Sequence, residues 1–150
     1  KGVLYPVQSF SKGTPVDFSR VPICVEAADP SDEKLLIQLA NNLSEHCSLL
    51  SSDKRKVLHL SAVVVNNFVN HLYHIADTLC QQHQISFELL RPLIQATVTK
   101  IMKLSPYEAQ TGPARRNDVN TINAHMNLLK DEQSNLYQTL TQSIQKTYGT

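Results

Sequence analysis

Residues 53 to 83 contain neither glycine nor proline. No other feature of the sequence restricts the fold as much. An unbroken run of this length predicts one long helix, spanning ~45 Å at ~1.5 Å per residue. Its apolar residues are Val57, Val64, Val65, Phe68, Leu72, Ile75, Ala76 and Leu79, the stripe of an amphipathic helix. Such a helix is longer than a small domain needs, so the stripe predicts a homodimer built through it. The remainder is helical as well. Ser86 is placed to cap a second helix with Leu90, Leu93, Thr97, Ile101 and Leu104 on one face. Pro92 should delay or kink its start, and Ser105-Pro106 is expected to end it. Asn117-Asp118 opens a third helix, and a fourth runs from Asp131 to Gly149.

The first 52 residues read differently. Val3 to Val7 is a short strand in which Pro6 lacks an N–H, so the strand lies at an edge or ends there. Val21 to Val25 is a second strand, rich in β-branched residues. Asp29-Pro30 then has the form of a helix start, N-cap followed by first turn, and Leu35, Leu36, Leu39, Ala40 and Leu43 recur at helical spacing. Cys47 to Leu50 is a closing strand. The expected architecture is therefore mainly α: a small α/β remnant of a Rossmann-like domain over 1–52, then a helical domain over 53–150. Lys1 is not a start methionine, and Gly2-Val3-Leu4-Tyr5 reads at once as strand. The sequence is accordingly expected to be the C-terminal part of a longer protein.

Composition excludes several functions. Formal net charge is +1, too small to attract nucleic acid or an anionic membrane. No apolar run approaches the ~20 residues of a membrane span. The three cysteines, Cys24, Cys47 and Cys80, follow no disulfide spacing, which fits buried thiols in a reducing cytoplasm. The four glycines, at 2, 13, 112 and 149, cannot supply a GxGxxG dinucleotide turn or a P-loop. His71, His74, Cys80 and His83 are ligand types without a third converging partner, so no metal site is expected.

Three segments carry candidate chemistry. On the far face of the long helix, His59, Asn66, Asn70 and Asp77 fall in one narrow sector at about 100° per residue. From His59 to Asn70 no residue is charged. Amides and imidazoles without charge suit either a ligand site or a buried polar network. The second segment is Thr111-Gly112-Pro113-Ala114-Arg115-Arg116-Asn117-Asp118, where the arginines could grip an anion. The third is Tyr5-Pro6-Val7-Gln8-Ser9-Phe10, a strand ending in a polar turn; strand ends often line ligand crevices in α/β proteins.

Taken together, these segments resemble the Rossmann-like NADP-dependent oxidoreductases with an uncharacterised C-terminal helical domain, of the 6-phosphogluconate dehydrogenase C-terminal-like superfamily. Pro6 to Phe10 is similar to that family's HPxQSF element. His59 to Phe68 is similar to its H-x-A-A-V-x-x-x-N segment, with His59 and Asn67 in matching positions. Thr111-Gly112-Pro113 with Arg116 and Asp118 is similar to its TGPxxRGD loop. Tyr5 stands in place of the family's usual histidine, and Asn117 in place of a glycine. Relatives in the superfamily often carry a catalytic lysine a turn before an asparagine; here Val63 occupies that position before Asn67.

The resemblance implies hydride transfer between a nicotinamide cofactor, NADP, and a small, anionic substrate. His59 would be the acid–base group, with Asn67 beside it in the catalytic set. Asn66, Asn70 and Arg116 would bind substrate. Gln8 and Ser9 would touch the cofactor, whose main site would lie on an N-terminal Rossmann segment absent from this sequence. The chain alone is then expected to be inactive. The competing expectation is a non-catalytic helical module for dimerisation or ligand binding. An open cleft beside His59 favours the enzyme; a closed, satisfied network favours the module.

Overall fold

Alternate β-branched residues make the second strand the centre of the sheet. In β2 (Ile23–Ala27), Ile23 and Val25 are fully buried. They meet Ala40 of α1 (Pro30–Leu43) and are flanked by Leu4, Leu36, Ile37 and Cys47. Strand β1 (Gly2–Pro6) pairs antiparallel with β2, from Gly2 opposite Ala27 to Pro6 opposite Ile23. Strand β3 (Cys47–Leu49) pairs parallel on the other side, giving the order β1-β2-β3. Pro6 lies on the edge strand, and the next backbone bond, Val7 N to Pro22 O, is 2.8 Å. Its missing N–H therefore costs no bond of the ladder. The computed structural model describes all 150 residues, and they form a mainly helical chain with this small sheet at its N-terminal end.

Local polar chemistry fixes the corners. Asp29 caps α1 by accepting from Ser31 N at 2.7 Å, with Pro30 in the first turn. At the other end of α1, the buried Ser44 donates to Val21 O at 2.6 Å and accepts from His46 N at 3.0 Å. One hydroxyl thus satisfies two backbone groups at the turn into β3. Helix α2 (Ser52–Ala62) has no side-chain cap from Ser51. Instead Glu26, near the end of β2, accepts from Ser52 N at 2.9 Å, Ser52 Oγ at 2.7 Å and Arg55 Nη1 at 2.7 Å.

The helical run proceeds as α2, a π-helical turn over Val63–Phe68, and α3 (Val69–Gln82). The π turn falls on Val63-Val64-Val65-Asn66-Asn67, the stretch where intrinsic helix propensity is lowest. β-Branched side chains crowd the preceding turn, and widening it relieves that crowding. No helix is long and apolar enough to cross a membrane.

The chain folds as two compact units, Lys1–Tyr73 and His74–Thr150. In the second, Ser86 accepts from Glu88 N and opens a 3-10 turn over Phe87–Leu90. Pro92 then lies in the first turn of α4 (Arg91–Ile101), where its absent N–H would have had no partner. Ser105-Pro106 does not end that helix, which stops at Ile101. It starts a short one, α5 (Pro106–Ala109), because Ser105 and Glu108 form a reciprocal capping box. Asp118 caps α6 (Val119–Met126) through Thr121 N, while Asn117 takes the left-handed conformation at φ 52°. Helix α7 (Asp131–Tyr148) ends on Gly149 at φ 69°. His125 Nδ1 and Tyr137 Oη, 2.8 Å apart, join α6 to α7.

Candidate functional site

The end of β1 and one face of the long helix enclose a cavity of about 580 Å³. Tyr5 to Phe10 supply one wall. His59 and Ala62 of α2 supply the other, together with Val63, Val65, Asn66 and Asn67 of the π turn. The residue spacing explains the second wall. Positions 59, 62, 63, 66 and 67 recur on one side of a helix, and the wider turn brings Val65 in beside them.

Within the cavity, Tyr5 Oη lies 3.1 Å from His59 Nδ1. The two rings meet edge to face, with centroids 6.3 Å apart. Gln8 folds back so that its Oε1 accepts from Ser9 N at 2.8 Å, which shapes the turn after β1. Phe10 stacks on Phe18 with centroids 5.8 Å apart and closes the rim. Asn66 and Asn67 are exposed at the opposite wall. None of the lining residues carries a formal charge other than what His59 acquires on protonation. The lining can donate and accept hydrogen bonds to a small ligand, and its one ready proton carrier is an imidazole.

Of the residues expected to form a site, Gln8, Ser9, His59, Asn66 and Asn67 line this one cavity. Asn70 does not, and the π turn is the cause: the additional residue shifts everything beyond it by about 100° from a regular helix wheel. Asp77, expected on the same sector, belongs to the second unit, where its carboxylate accepts from Gln81 Nε2 at 2.8 Å. Arg116 also lies in the second unit, exposed on the loop before α6. Its neighbour Arg115 is already engaged, with its guanidinium 4.3 Å from the centroid of Tyr148. Tyr148 in turn stacks on Tyr107 at 4.5 Å. Asp118 is held below the usual carboxylate range chiefly by the Thr121 hydroxyl and backbone N–H, with a smaller effect from Arg116.

Tyr5 is a cavity residue that the sequence pattern did not single out for a role. The available signal was its place at the strand end, immediately before the polar turn containing Gln8 and Ser9. Phe10, Val63 and Val65 carry no chemical signal and become visible only as walls.

A pyrophosphate cradle would need bare N–H groups at a helix N-terminus. The two helices that follow strands here, α1 and α2, have carboxylates in that place, Asp29 and Glu26. Both are held below their ordinary pKa, first by hydroxyl hydrogen bonds from Ser31 and Ser52 respectively. The residues present do not fit the phosphates of a dinucleotide. The charge-free cavity fits only an uncharged part of such a molecule. No three His, Cys, Asp or Glu side chains are grouped as metal ligands.

The family profile of a domain of unknown function, DUF2520, matches residues 21–144. No curated protein matches the chain. Among solved structures, a Bacteroides fragilis protein whose name proposes an NADP oxidoreductase superimposes with a TM-score of 0.91 at 41% identity, over 97% of this chain. A Thermotoga maritima protein superimposes with a TM-score of 0.79 over 100% of this chain, at 18% identity, a likeness of fold alone. The chain spans 57% of the first and 62% of the second.

Proposed function

Since this chain belongs to the DUF2520 family, we propose that it is the substrate-binding and dimerisation part of an NAD(P)-dependent oxidoreductase. The similarity to a protein named for that activity supports the reaction class. The single observation that carries the reading is His59. It opens on a cavity at a strand end, and no charged side chain lines that cavity. That is an open cleft with a proton carrier, which favours the enzyme over a closed structural network.

A nicotinamide cofactor, NADP in this reading, would be the source or acceptor of the hydride. Residues of this chain do the remainder. His59 gives a proton to, or takes one from, the oxygen or nitrogen at the reacting carbon. Asn67 stands with it in the catalytic set, and Asn66 orients the ligand from the same wall. Gln8 and Ser9, which line the cavity, would meet the uncharged end of the cofactor. Arg116 is carried over from the resemblance alone, as a residue for an anionic group. Asn70, also expected to bind substrate, lies outside the cavity lining. The proposed domains, a cofactor-side remnant over 1–52 and a helical substrate part over 53–150, differ from the compact units, which divide between Tyr73 and His74. The phosphates would be bound by sequence outside this chain.

Dimerisation follows from surface chemistry. Val57, Leu60, Val64 and Phe68 of the long helix are 64%, 62%, 48% and 57% exposed. Exposed apolar residues recurring along one helix suit an interface, and we assign them to a second copy. The three free thiols support a cytoplasmic location. The test is replacement of His59 by Ala in the longest natural form of the protein. Turnover should fall by ~10²-fold or more, the scale of a lost general acid. Unchanged turnover on the true substrate would return His59 to structure.

A further inference from the structure

We propose that Tyr5 is a positioning residue that holds His59 by Nδ1 in every protonation state and so reserves Nε2 for the ligand. The inference rests on the reading of His59 as a proton carrier, and it adds the device that keeps the ring in one orientation while the proton moves.

The geometry is the 3.1 Å contact between Tyr5 Oη and His59 Nδ1. An imidazole nitrogen accepts better than a phenol oxygen, and a phenol O–H, with a pKa near ~10, donates better than a neutral imidazole N–H. In the neutral ring, the favoured arrangement therefore has Tyr5 donating to Nδ1. The proton of the ring then sits on Nε2. Nδ1 is within hydrogen-bond distance of Tyr5 Oη, and of the cavity's other polar side chains Gln8 has its Oε1 engaged with Ser9 N.

Protonation reverses the bond without breaking the contact. The imidazolium has N–H groups at both nitrogens, and Nδ1–H donates to Tyr5 Oη after the hydroxyl rotates. When Nε2 gives its proton to a ligand oxygen or nitrogen, the Nε2–H bond breaks and a ligand O–H or N–H bond forms. Nδ1 keeps its proton and continues to donate to Oη. A carbonyl oxygen could only accept, and would lose the ring in the first of these states. An ionised carboxylate likewise only accepts, so it would lose the ring in the same state and would add a charge to a cavity that has none. A hydroxyl is the neutral group that serves all three states. The rigid phenol ring sits on a β-strand, which fixes the distance better than a flexible side chain on a loop.

The test reads the imidazole directly, on this chain, by nitrogen-15 NMR of His59 in the unmodified protein and in Tyr5→Phe, across a pH titration. In the unmodified protein the neutral ring should carry its proton on Nε2 almost entirely, with an Nδ1 signal displaced by an accepted hydrogen bond. In Tyr5→Phe that displacement should vanish, and the minor Nδ1–H tautomer should rise several-fold. Thermal stability is the control. A purely structural tyrosine would lower the melting temperature and leave the tautomer ratio alone, which overturns the proposal. If Tyr5→Phe does not fold, the unmodified protein decides: an Nδ1 signal without the hydrogen-bond displacement overturns it equally. The outcome is separate from the proposed activity. A shifted tautomer ratio together with full turnover in His59→Ala would sink the catalytic reading and leave the Tyr5–His59 contact standing.

Discussion

The carboxylate of Glu26 accepts a hydrogen bond from Arg55 Nη1 at 2.7 Å and thereby ties the end of β2 to the first turn of α2. The same carboxylate takes the Ser52 hydroxyl and backbone N–H. These bonds, the hydroxyl first and Arg55 next, hold its pKa at about 2 against an ordinary 4.5. Because α2 carries His59, this clamp sets the angle of one wall of the cavity.

The clamp has a definite pH dependence. A carboxyl whose pKa is lowered by folding adds stability that is complete above its unfolded value and disappears as pH falls toward the folded one. Glu26→Gln should therefore melt earlier than the unmodified protein at neutral pH. The gap should shrink from pH 4.5 down to about 2, where the natural residue is protonated as well. Melting curves across that range check it; a gap independent of pH would mean that charge has no part in the clamp.

Ser44→Ala should cost about 1–3 kcal/mol, since it leaves a buried acceptor and a donor without their partner. The hydroxyl is at 2.6 Å from Val21 O and 3.0 Å from His46 N. Chemical denaturation should show a lower midpoint with an unchanged slope. A loss below about 0.5 kcal/mol would show that water replaces the hydroxyl there.

Association is read by sedimentation. The chain is expected to be dimeric at micromolar concentration, and Phe68→Lys should shift it to monomer, because Phe68 belongs to the exposed stripe. A charge buried at an interface without a partner is strongly unfavourable. A monomeric unmodified chain would remove the long helix as an interface.

NADP should bind this chain no better than roughly millimolar, about −4 kcal/mol. Asp29 and Glu26 occupy the two helix starts that follow strands, and like charge repels phosphate there. Calorimetry is the measurement, and micromolar affinity would place a cofactor site within these 150 residues.

The elements that could be read from sequence are those decided locally. Asp29-Pro30 and Asn117-Asp118 start helices because a side-chain oxygen reaches the backbone two or three residues on. The strand around Ile23 and Val25 follows from alternation, and the place of Pro6 at an edge from its missing N–H. Ser105-Pro106 is the instructive error: the same two residues suit a helix end and a helix start, and Glu108, three residues on, decides between them. The polar face of the long helix led to His59, Asn66 and Asn67 for a sound reason, the lack of charge. Asn70 lies outside the cavity lining, and a uniform 3.6-residue period cannot register the π turn before it. The position of Tyr5 at the strand end is a signal, but its pairing with His59, 54 positions away, cannot be read from pattern.

The π turn has a consequence for insertions and deletions. Removing a single residue from α2 or α3 would rotate every later side chain on that helix by about 100°. Within Val63–Phe68 the outcome differs, because the turn already holds a residue in excess of the regular repeat. A deletion there lets the helix close into an ordinary ladder, with the faces on either side left as they were. The helix should tolerate that loss as a scaffold, while the cavity wall formed by Val65, Asn66 and Asn67 is remade. Chain length can therefore change at the site without changing the frame that carries it.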